Sequence, residues 1–452
     1  APTLRDGYTY LMKVRASDDV TPANVETAIS SVTFTFDTTP PAAAVTFPYS
    51  LPDSRANMKA LTTISGTAYE QFGVRSASVS VQETDTFMYY DVQSASFTSA
   101  TQKWIGAAVS GAGPNYTWSA AAPPLTDNKK YDIQVTAIDT AGNQLTPPSA
   151  TTIRYDVTPP VSNPVSPVDN AYLNVLPSLS GTAADPNVNA SGVAGTEARI
   201  QRNSDGQYWN GSTWVSQDSW LGGVAGSPWT KAAQLPPSDN SSGFTDGELY
   251  TLQTRSYDVA GNTQSVILAG NSFRFDVSSP TAHITQPLNG LRFNALASLA
   301  GTAADTYNVD YPRIRIYDVP LNKYWMTGTG TCGDATLPGW VSDSCAAFPE
   351  VWSVAVGSSS AGGSFPWSYA TASLPWPQRD NELRIDAKVL DQAGNYSITS
   401  STFSFDNVAP VSVITFPPTD DLLYSSMTAI TGTSRDDTSS VSAVYLRMWY
   451  LS

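Results

Sequence analysis

The sequence predicts an all-β protein built from tandem β-sandwiches. Its 452 residues are too many for one hydrophobic core, so several domains are expected. Charged residues make up only 14% of the chain, whereas Gly, Pro and aromatic residues are plentiful. This composition is typical of proteins with many short strands and turns. Two further observations, a long internal repeat and a strand period of two, support the same fold class.

The repeat is marked by three motifs that advance in step. The first motif ends in an Asp followed by a Pro-containing segment, and its Asp residues are 119, 120 and 130 residues apart. Its copies are FDTTPP (36–41), YDVTPP (155–160), FDVSSP (275–280) and FDNVAP (405–410). The second motif comprises ISGTAYE (64–70), LSGTAAD (179–185), LAGTAAD (299–305) and ITGTSRD (430–436). The third contains a Trp: YTWSA (116–120), SPWTKA (227–232) and FPWSYA (365–370).

Each repeat alternates apolar and polar residues with the period of a β-strand. In KYDIQVTAID, Tyr131, Ile133, Val135 and Ala137 share one face, and no segment has a convincing helical period. Repeats of this length with only strands and turns predict immunoglobulin-like β-sandwich domains in an extended string. The predicted domains are 38–156, 157–276 and 277–406, with partial units at 1–37 and 407–452.

A short motif, Asp-x-Ala-Gly-Asn, occurs once in each complete repeat, at 139–143, 258–262 and 391–395. The Asp ends one strand, and the next strand of the repeat follows the motif. Gly accepts a positive φ, while Asn and Asp can bond to their own backbone. The motif therefore predicts the turn between the last two strands of a sandwich rather than a catalytic loop.

The segments after the last strand of each repeat predict short, stiff linkers, because Pro fixes φ and removes a backbone donor. Both partial units suggest an excerpt from a longer repetitive protein. Complementation of the two ends between molecules is an alternative. The two partial units total 83 residues, which is shorter than one repeat, so the excerpt is the favoured interpretation.

The formal net charge is −15, so a nucleic-acid partner is not expected. The sequence contains no run of eighteen apolar residues, so a membrane span is not predicted. Cys332 and Cys345, the only cysteines, predict a local disulfide and an oxidising, extracytoplasmic compartment; two unpaired thiols are the alternative.

Together the GTAxD, VTAxDxAGN and FDxTPP motifs resemble the bacterial Ig-like repeats of giant extracellular adhesins. The resemblance extends over the three complete units and both partial ones. It implies an extracellular, non-enzymatic role in spacing or adhesion, often with calcium at the joints between domains. Glu70 replaces the usual Asp in the first complete unit, and SDDVTPAN (17–24) replaces the AGN turn in the first partial unit.

Sandwich topology predicts that acidic residues meet at each joint. The linker entering a unit should lie beside two loops, each of which begins with an acid. The predicted sets are Asp37, Glu70 and Asp139; Asp156, Asp185 and Asp258; Asp276, Asp305 and Asp391; and Asp406 with Asp436. Oxygen ligands of this kind suit Ca²⁺, with linker carbonyls completing the shell. The alternative is that each Asp only caps a local turn in water.

Aromatic residues are concentrated in a hairpin between the second and third motifs. They are Tyr89, Tyr90 and Trp104; Tyr208, Trp209, Trp214 and Trp220; and Tyr324, Trp325, Trp340 and Trp352. Their recurrence favours packing between strands, with stacking on sugar rings as the alternative.

Catalysis is not expected. The single histidine, His283, lies in a strand that follows a linker, and no phosphate-binding glycine loop is present. The chain is therefore interpreted as a stalk, adhesin shaft or surface filament, with further Ig-like repeats and a surface glycan or protein receptor as partners. An array of glycan-binding modules and a self-assembling filament subunit are the alternatives.

Overall fold

The protein was analysed as a computed structural model. The structure describes residues 2–49, 56–307, 309–310, 312–332, 335–342, 352–357, 363–372, 374, 376, 381–419, 422–437 and 439–450. Within these ranges every regular element is a β-strand, and no helix able to span a membrane occurs there. The all-β prediction is confirmed.

The complete repeats at 38–156, 157–276 and 277–406 are called units one, two and three. Unit one contains ten strands. They are β3 (Ala42–Phe47), β4 (Ala56–Met58), β5 (Thr63–Tyr69), β6 (Val74–Glu83), β7 (Met88–Asp91), β8 (Ser96–Ser99), β9 (Ile105–Ala112), β10 (Asn115–Ala121), β11 (Lys129–Asp139) and β12 (Ser149–Tyr155). β3 pairs antiparallel with β5, whereas β4 pairs parallel with β12, so the entering chain contributes to both layers of the sandwich. β9 pairs with both β10 and β6 and thereby joins the layers.

Unit two repeats this plan with two separate sheets. Its strands are β13 (Val161–Ser166), β14 (Ala171–Leu173), β15 (Leu179–Ala184), β16 (Val193–Arg202), β17 (Tyr208–Trp209), β18 (Trp214–Val215), β19 (Leu221–Val224), β20 (Trp229–Lys231), β21 (Leu249–Asp258) and β22 (Asn271–Phe275). The smaller sheet has the order β13-β15-β20. The larger has the order β14-β22-β21-β16-β17-β18, and β19 also pairs with β16.

Unit three has the same two layers. Its strands are β23 (Thr281–Gln286), β24 (Arg292–Phe293), β25 (Ser298–Asp305), β26 (Arg313–Asp318), β27 (Lys323–Cys332), β28 (Ala335–Ser342), β29 (Ser353–Val354), β30 (Val356–Gly357), β31 (Gly363–Ala370), β32 (Asn381–Leu390) and β33 (Tyr396–Phe405). Hairpins flank the three units: β1 (Tyr8–Val14) with β2 (Ser30–Phe36), and β34 (Val411–Phe416) with β35 (Thr431–Arg435).

One cross-strand contact explains why the second and third motifs recur together. The motif glycine on the second strand of the smaller layer lies directly opposite the motif Trp; the pairs are Gly66 with Trp118, Gly181 with Trp229 and Gly301 with Trp367. A Cβ on Gly181 would lie 2.4 Å from the Trp229 ring and 2.3 Å from the Asn163 carbonyl oxygen. Only glycine leaves room for the buried indole at this position.

Tyrosines fix the turn before the penultimate strand of a unit. The hydroxyl oxygen of Tyr131 accepts a hydrogen bond from the Thr126 amide (2.9 Å), and Tyr250 accepts one from the Thr245 amide (2.8 Å). Tyr10 makes the equivalent contact with the Arg5 amide (2.7 Å). This arrangement is the tyrosine corner of immunoglobulin-like sandwiches. Burial raises the pKa of the Tyr131 and Tyr250 hydroxyls.

Candidate functional site: the joints between units

Each linker begins as a tight turn made by its own Asp. The Asp156 carboxylate accepts a hydrogen bond from the Thr158 amide (3.2 Å). Equivalent bonds link Asp37 to the Thr39 amide (3.1 Å), Asp276 to the Ser278 amide (3.1 Å) and Asp406 to the Val408 amide (3.3 Å). The linker Asp therefore has a local structural role at all four joints.

A second Asp, from the turn of the preceding unit, holds three of the linkers. The Asp127 carboxylate accepts hydrogen bonds from the Val157 amide (2.7 Å) and the Thr158 hydroxyl. Asp246 binds the Val277 amide (2.8 Å) and the Ser278 hydroxyl (2.5 Å), and Asp6 binds the amide of Thr38 and the hydroxyl of Thr39 (2.5 Å each). We call this contact the linker latch.

The Asn of the Asp-x-Ala-Gly-Asn motif holds the linker from the other side. The Nδ2 of Asn262 donates to the Asp156 backbone carbonyl (2.8 Å) and to the Asp258 carboxylate (2.8 Å). Asn143 makes the same two bonds, to Asp37 and Asp139 (3.1 and 2.8 Å), and Asn395 makes them to Asp276 and Asp391 (2.8 and 2.7 Å). The motif is thus a turn that also binds the linker, and we call this contact the asparagine clamp.

The joints are numbered along the chain, so that the second joint connects units one and two. It brings three of the predicted acids together. One carboxylate oxygen from each of Asp156, Asp185 and Asp258 lies within 4.8 Å of the other two. Asp156 and Asp258 are almost completely buried, with 0% and 2% of their surface exposed. Of the residues that the structure describes, no other set of three Asp, Glu, His or Cys side chains meets this distance.

The carboxylates of the second joint are only partly satisfied by the protein. The Asp156 carboxylate accepts a bond from the Ser191 amide (2.6 Å), and Asp185 accepts one from the Gly192 amide (2.9 Å). The other oxygen of Asp185, Oδ1, is buried without a hydrogen-bond partner. Burial, followed by the negative charges of Asp156 and Asp258, raises the pKa of Asp185. Hard cations such as Ca²⁺ are bound by carboxylate oxygens of this kind.

The third joint has the equivalent acids, Asp276, Asp305 and Asp391, but their carboxylate oxygens lie farther apart. Burial and the charge of Asp391 raise the pKa of Asp276 to about 6. Burial also raises the pKa of Asp391. Asp305 accepts a bond from the Tyr307 amide (2.8 Å), and its charge contributes to both shifts. These three carboxylates influence one another without meeting the distance found in the second joint.

The first and fourth joints are less closely assembled. Glu70 is buried and accepts a bond from the Phe72 amide (3.2 Å), and the Asp139 carboxylate accepts the Gly142 and Asn143 amides (2.6 and 2.9 Å). Asp37 keeps one buried oxygen, Oδ2, without a hydrogen-bond partner. Asp406 and Asp436 each bond to nearby amides, Asp436 to that of Ser439 (2.6 Å).

Direct contacts between neighbouring units recur at equivalent positions. Lys59, just after β4, donates to the Gly261 carbonyl in the turn of unit two (2.6 Å). Asn174, at the same place in unit two, donates to Asn395 in the turn of unit three (3.2 Å). Arg154 donates to the Ala190 carbonyl (2.7 Å), and Arg274 lies over the Tyr307 ring, 4.8 Å from its centroid.

Part of each aromatic hairpin is packed into its sandwich. Trp209 is 2% exposed and meets Trp214 edge to face at 5.4 Å, while Trp214 stacks on Tyr250. Trp325 is buried and meets Trp340 edge to face at 5.7 Å. In unit one, Tyr90 contacts Phe97, which contacts the core residue Tyr131. These rings do not form a repeated exposed platform for sugars.

The remaining predicted site residues lie away from the joints or outside the described residues. Cys345 and the side chain of Cys332 lie outside them, so the disulfide remains a prediction. His283 lies exposed on β23.

The sequence analysis missed the linker latch. Its signal is a short pattern that precedes the tyrosine corner: Thr-Asp-Asn-Lys-Lys-Tyr at 126–131 and Thr-Asp-Gly-Glu-Leu-Tyr at 245–250. Asn128 and Gly247 occupy the position of positive φ in these turns. The first partial unit carries Arg-Asp-Gly followed by Tyr10, so the pattern was readable in three places.

Comparison with known proteins gives one family match. A family model described as a bacterial Ig-like domain matches residues 46–156, in unit one, and 351–407, in unit three. A search of curated proteins finds no match.

Solved structures of tandem β-sandwich proteins are also similar to the chain. Fibronectin(III)-like modules of Clostridium thermocellum CbhA are 10% identical, covering 54% of this chain and 94% of theirs, with a TM-score of 0.29. The FN1-FN3 domains of chicken CNTN1 are 11% identical, with coverages of 81% and 99% and a TM-score of 0.26. Protocadherin gammaB7 EC3-6 is 13% identical, with coverages of 88% and 85% and a TM-score of 0.22.

Proposed function

We propose that the chain is a non-enzymatic extracellular segment that acts as a stalk, adhesin shaft or surface filament. The match of residues 46–156 and 351–407 to a bacterial Ig-like family model supports this role. The role of the chain is to hold successive domains at set angles and so carry a binding surface away from the cell. Further repeats of the same kind and a surface receptor are its partners.

The observation that supports this role is the repetition of one joint design. The first three joints share this design. At each of them, the latch Asp of the preceding unit and the motif Asn of the following unit form hydrogen bonds to the same few linker residues. Each hydrogen bond of this kind contributes about 1 kcal/mol, and bonds to a carboxylate contribute more. A freely flexible linker would need none of them.

Calcium is proposed as a second element of the joint. In the second joint, Asp156, Asp185 and Asp258 would hold the ion, with the partnerless Oδ1 of Asp185 as one ligand atom. Ca²⁺ prefers carboxylate and carbonyl oxygens, and its charge would offset the repulsion between the three buried carboxylates. Because the ligands come from the linker and from two loops of unit two, a bound ion would fix the linker to that unit.

Thermal unfolding in millimolar CaCl₂ and in EDTA tests the calcium proposal. We expect calcium to raise the melting temperature of the wild type and to have a much smaller effect on Asp185→Asn. Asp19→Asn, an exposed change in the first hairpin, is the matched control and should respond as the wild type does. Equal melting curves in both buffers would contradict calcium binding but leave the latch and clamp in place.

A further inference from the structure

The outer faces of the larger sheets in units two and three carry the same stack of cations and aromatic rings. Arg199 lies over the rings of Tyr208 and Trp220, at 5.2 and 4.7 Å from their centroids. In unit three, Arg315 lies over Tyr324 and Trp352 at 4.9 and 4.7 Å. The two faces are therefore equivalent, position by position.

The next cross-strand pair along this face differs in charge between the two units. In unit two, Glu197 on β16 is opposite Arg255 on β21, and the two form a salt bridge of 2.6 Å. In unit three the same ladder position holds Arg313 on β26 and Lys388 on β32. A balanced ion pair has been replaced by two cations.

Two like charges directly opposite each other on neighbouring strands destabilise a sheet. Their Cβ atoms are about 5 Å apart in such a pair. Among the described residues, no carboxylate oxygen lies within 4.0 Å of a charged nitrogen of Arg313 or Lys388. Asp386, the nearest acid in the ladder, is already bound by Arg315 (2.7 Å) and Arg384 (3.0 Å). The pair therefore concentrates positive charge in a chain whose net charge is −15.

Apolar and aromatic groups surround this pair and are open to solvent. The Lys388 amine lies 4.2 Å from the centroid of the Tyr396 ring and 5.9 Å from that of Trp352. Val354 is opposite Arg313 on β29, and Ile398 is opposite Lys388 on β33. Tyr396 is 54% exposed, and both aliphatic side chains are about half exposed.

We propose that the Arg313–Lys388 pair is a binding site for an acidic polysaccharide, in which a carboxylate or sulfate group lies between the two cations. Because the two residues lie directly opposite each other on neighbouring strands, a single anionic group can bond to both side chains, which removes their repulsion. The exposed Tyr396 ring beside the pair offers a flat apolar surface to the adjoining sugar ring. Unit two lacks the site because Glu197 already occupies the position of the anion.

A polysaccharide is favoured over a second copy of this chain on grounds of charge. Two copies that each carry a net charge of −15 repel one another at long range, whereas a polysaccharide strand presents its anions one sugar at a time. The site does not depend on calcium or on the stiffness of the joints, so it is tested independently of the proposed stalk function.

The test is binding of the full chain to chondroitin sulfate, a sulfated and carboxylated polymer, and to polygalacturonic acid, which carries carboxylates alone. Dextran of similar length is the neutral control. We expect both acidic polymers to bind at low salt, more weakly as salt is raised, and dextran not to bind. Binding of chondroitin sulfate only would assign the site to sulfate, and binding of both would assign it to either anion.

Arg313→Glu separates the site from general electrostatics. It recreates the Glu–cation pair of unit two, so we expect the variant to fold with an unchanged or higher melting temperature and to bind at least tenfold more weakly. Lys103→Glu, an equal change of charge on the surface of unit one, should leave the affinity unchanged. Equal affinity of the wild type and Arg313→Glu, or no binding of either acidic polymer, would overturn the proposal. Self-association that Arg313→Glu removes, without polysaccharide binding, would also overturn it.

Discussion

At the scale of single residues, the Asn of the Asp-x-Ala-Gly-Asn motif has two roles. The sequence correctly predicts a turn, because Gly261 has a φ of +89° and the Asn262 amide bonds to Asp258 (2.8 Å). The bond from the Asn262 side chain to Asp156 could not be predicted, because the two residues are 106 positions apart. Sequence periodicity does not reveal which backbone carbonyl faces a loop.

Removing this side chain tests the asparagine clamp. Asn262→Ala leaves the carbonyl of Asp156 and the Oδ2 atom of Asp258 without this donor in a buried site, so we expect unit two to lose about 1–3 kcal/mol of unfolding free energy. Urea denaturation in EDTA measures it. The exposed Asn187→Ala should change the free energy by less than about 0.5 kcal/mol. A wild-type value for Asn262→Ala would contradict the clamp.

The raised pKa of Asp276 predicts an unusual dependence on pH. Between its ordinary value of 3.8 and about 6, the folded state retains a proton that the unfolded state has released. Its contribution to stability is therefore present at low pH and lost as the pH rises through about 6. In EDTA, we expect the unfolding free energy of unit three to fall by at most about 3 kcal/mol between pH 4 and 7.

Asp276→Asn is the variant that checks this pH dependence. The amide does not ionise, and its oxygen can still accept the Ser278 amide, so the fall in unfolding free energy should become smaller. Denaturation curves across this pH range provide the measurement. A slope identical to that of the wild type would show that Asp276 is not the group responsible.

At the scale of elements, the sequence motifs turn out to be parts of shared contacts. The sequence shows the second and third repeat motifs as separate features. The structure joins the glycine of one to the Trp of the other in one cross-strand pair per unit. Strand alternation predicted the all-β fold because burial imposes a period of two. Pairing between strands separated by tens of residues leaves no such local period, so the partner of each glycine was not predictable.

The Gly–Trp pair predicts a strong effect of a single methyl group. Gly181→Ala places a Cβ against Trp229 and the Asn163 carbonyl, so we expect a loss of about 1–3 kcal/mol in the stability of unit two. Gly222→Ala, in β19 of the same unit, has no atom within 4 Å of the new Cβ and should have little effect. Calorimetry compares the two variants, and equal melting temperatures would contradict the packing argument.

The linker latch should control the angle between units more than the stability of either unit. Asp127→Ala removes both acceptors for the Val157 amide and the Thr158 hydroxyl, and we expect broader distances between spin labels on units one and two. Asp127→Asn keeps one acceptor oxygen and should show an intermediate width. A distribution for Asp127→Ala as narrow as that of the wild type would contradict the latch.

At the scale of the whole molecule, the proposed stalk function depends on the repeated joints more than on any one domain. The sequence predicts a set of acids at each joint, and the second joint brings its three together. It did not distinguish this joint from the third, because the difference arises from the shapes of loops rather than from residue types. In both joints the loop Asp also caps its own turn, so the two interpretations of these acids are compatible.

The central claim is that successive units are held at set angles, and small-angle X-ray scattering of the full chain tests it most directly. Three sandwiches of roughly 30–40 Å each, placed end to end, should give a maximum dimension of at least about 90 Å. We predict the profile of an elongated particle with little flexibility, stiffer in calcium than in EDTA. A profile of freely jointed beads, or of a compact particle, in both buffers would contradict the account.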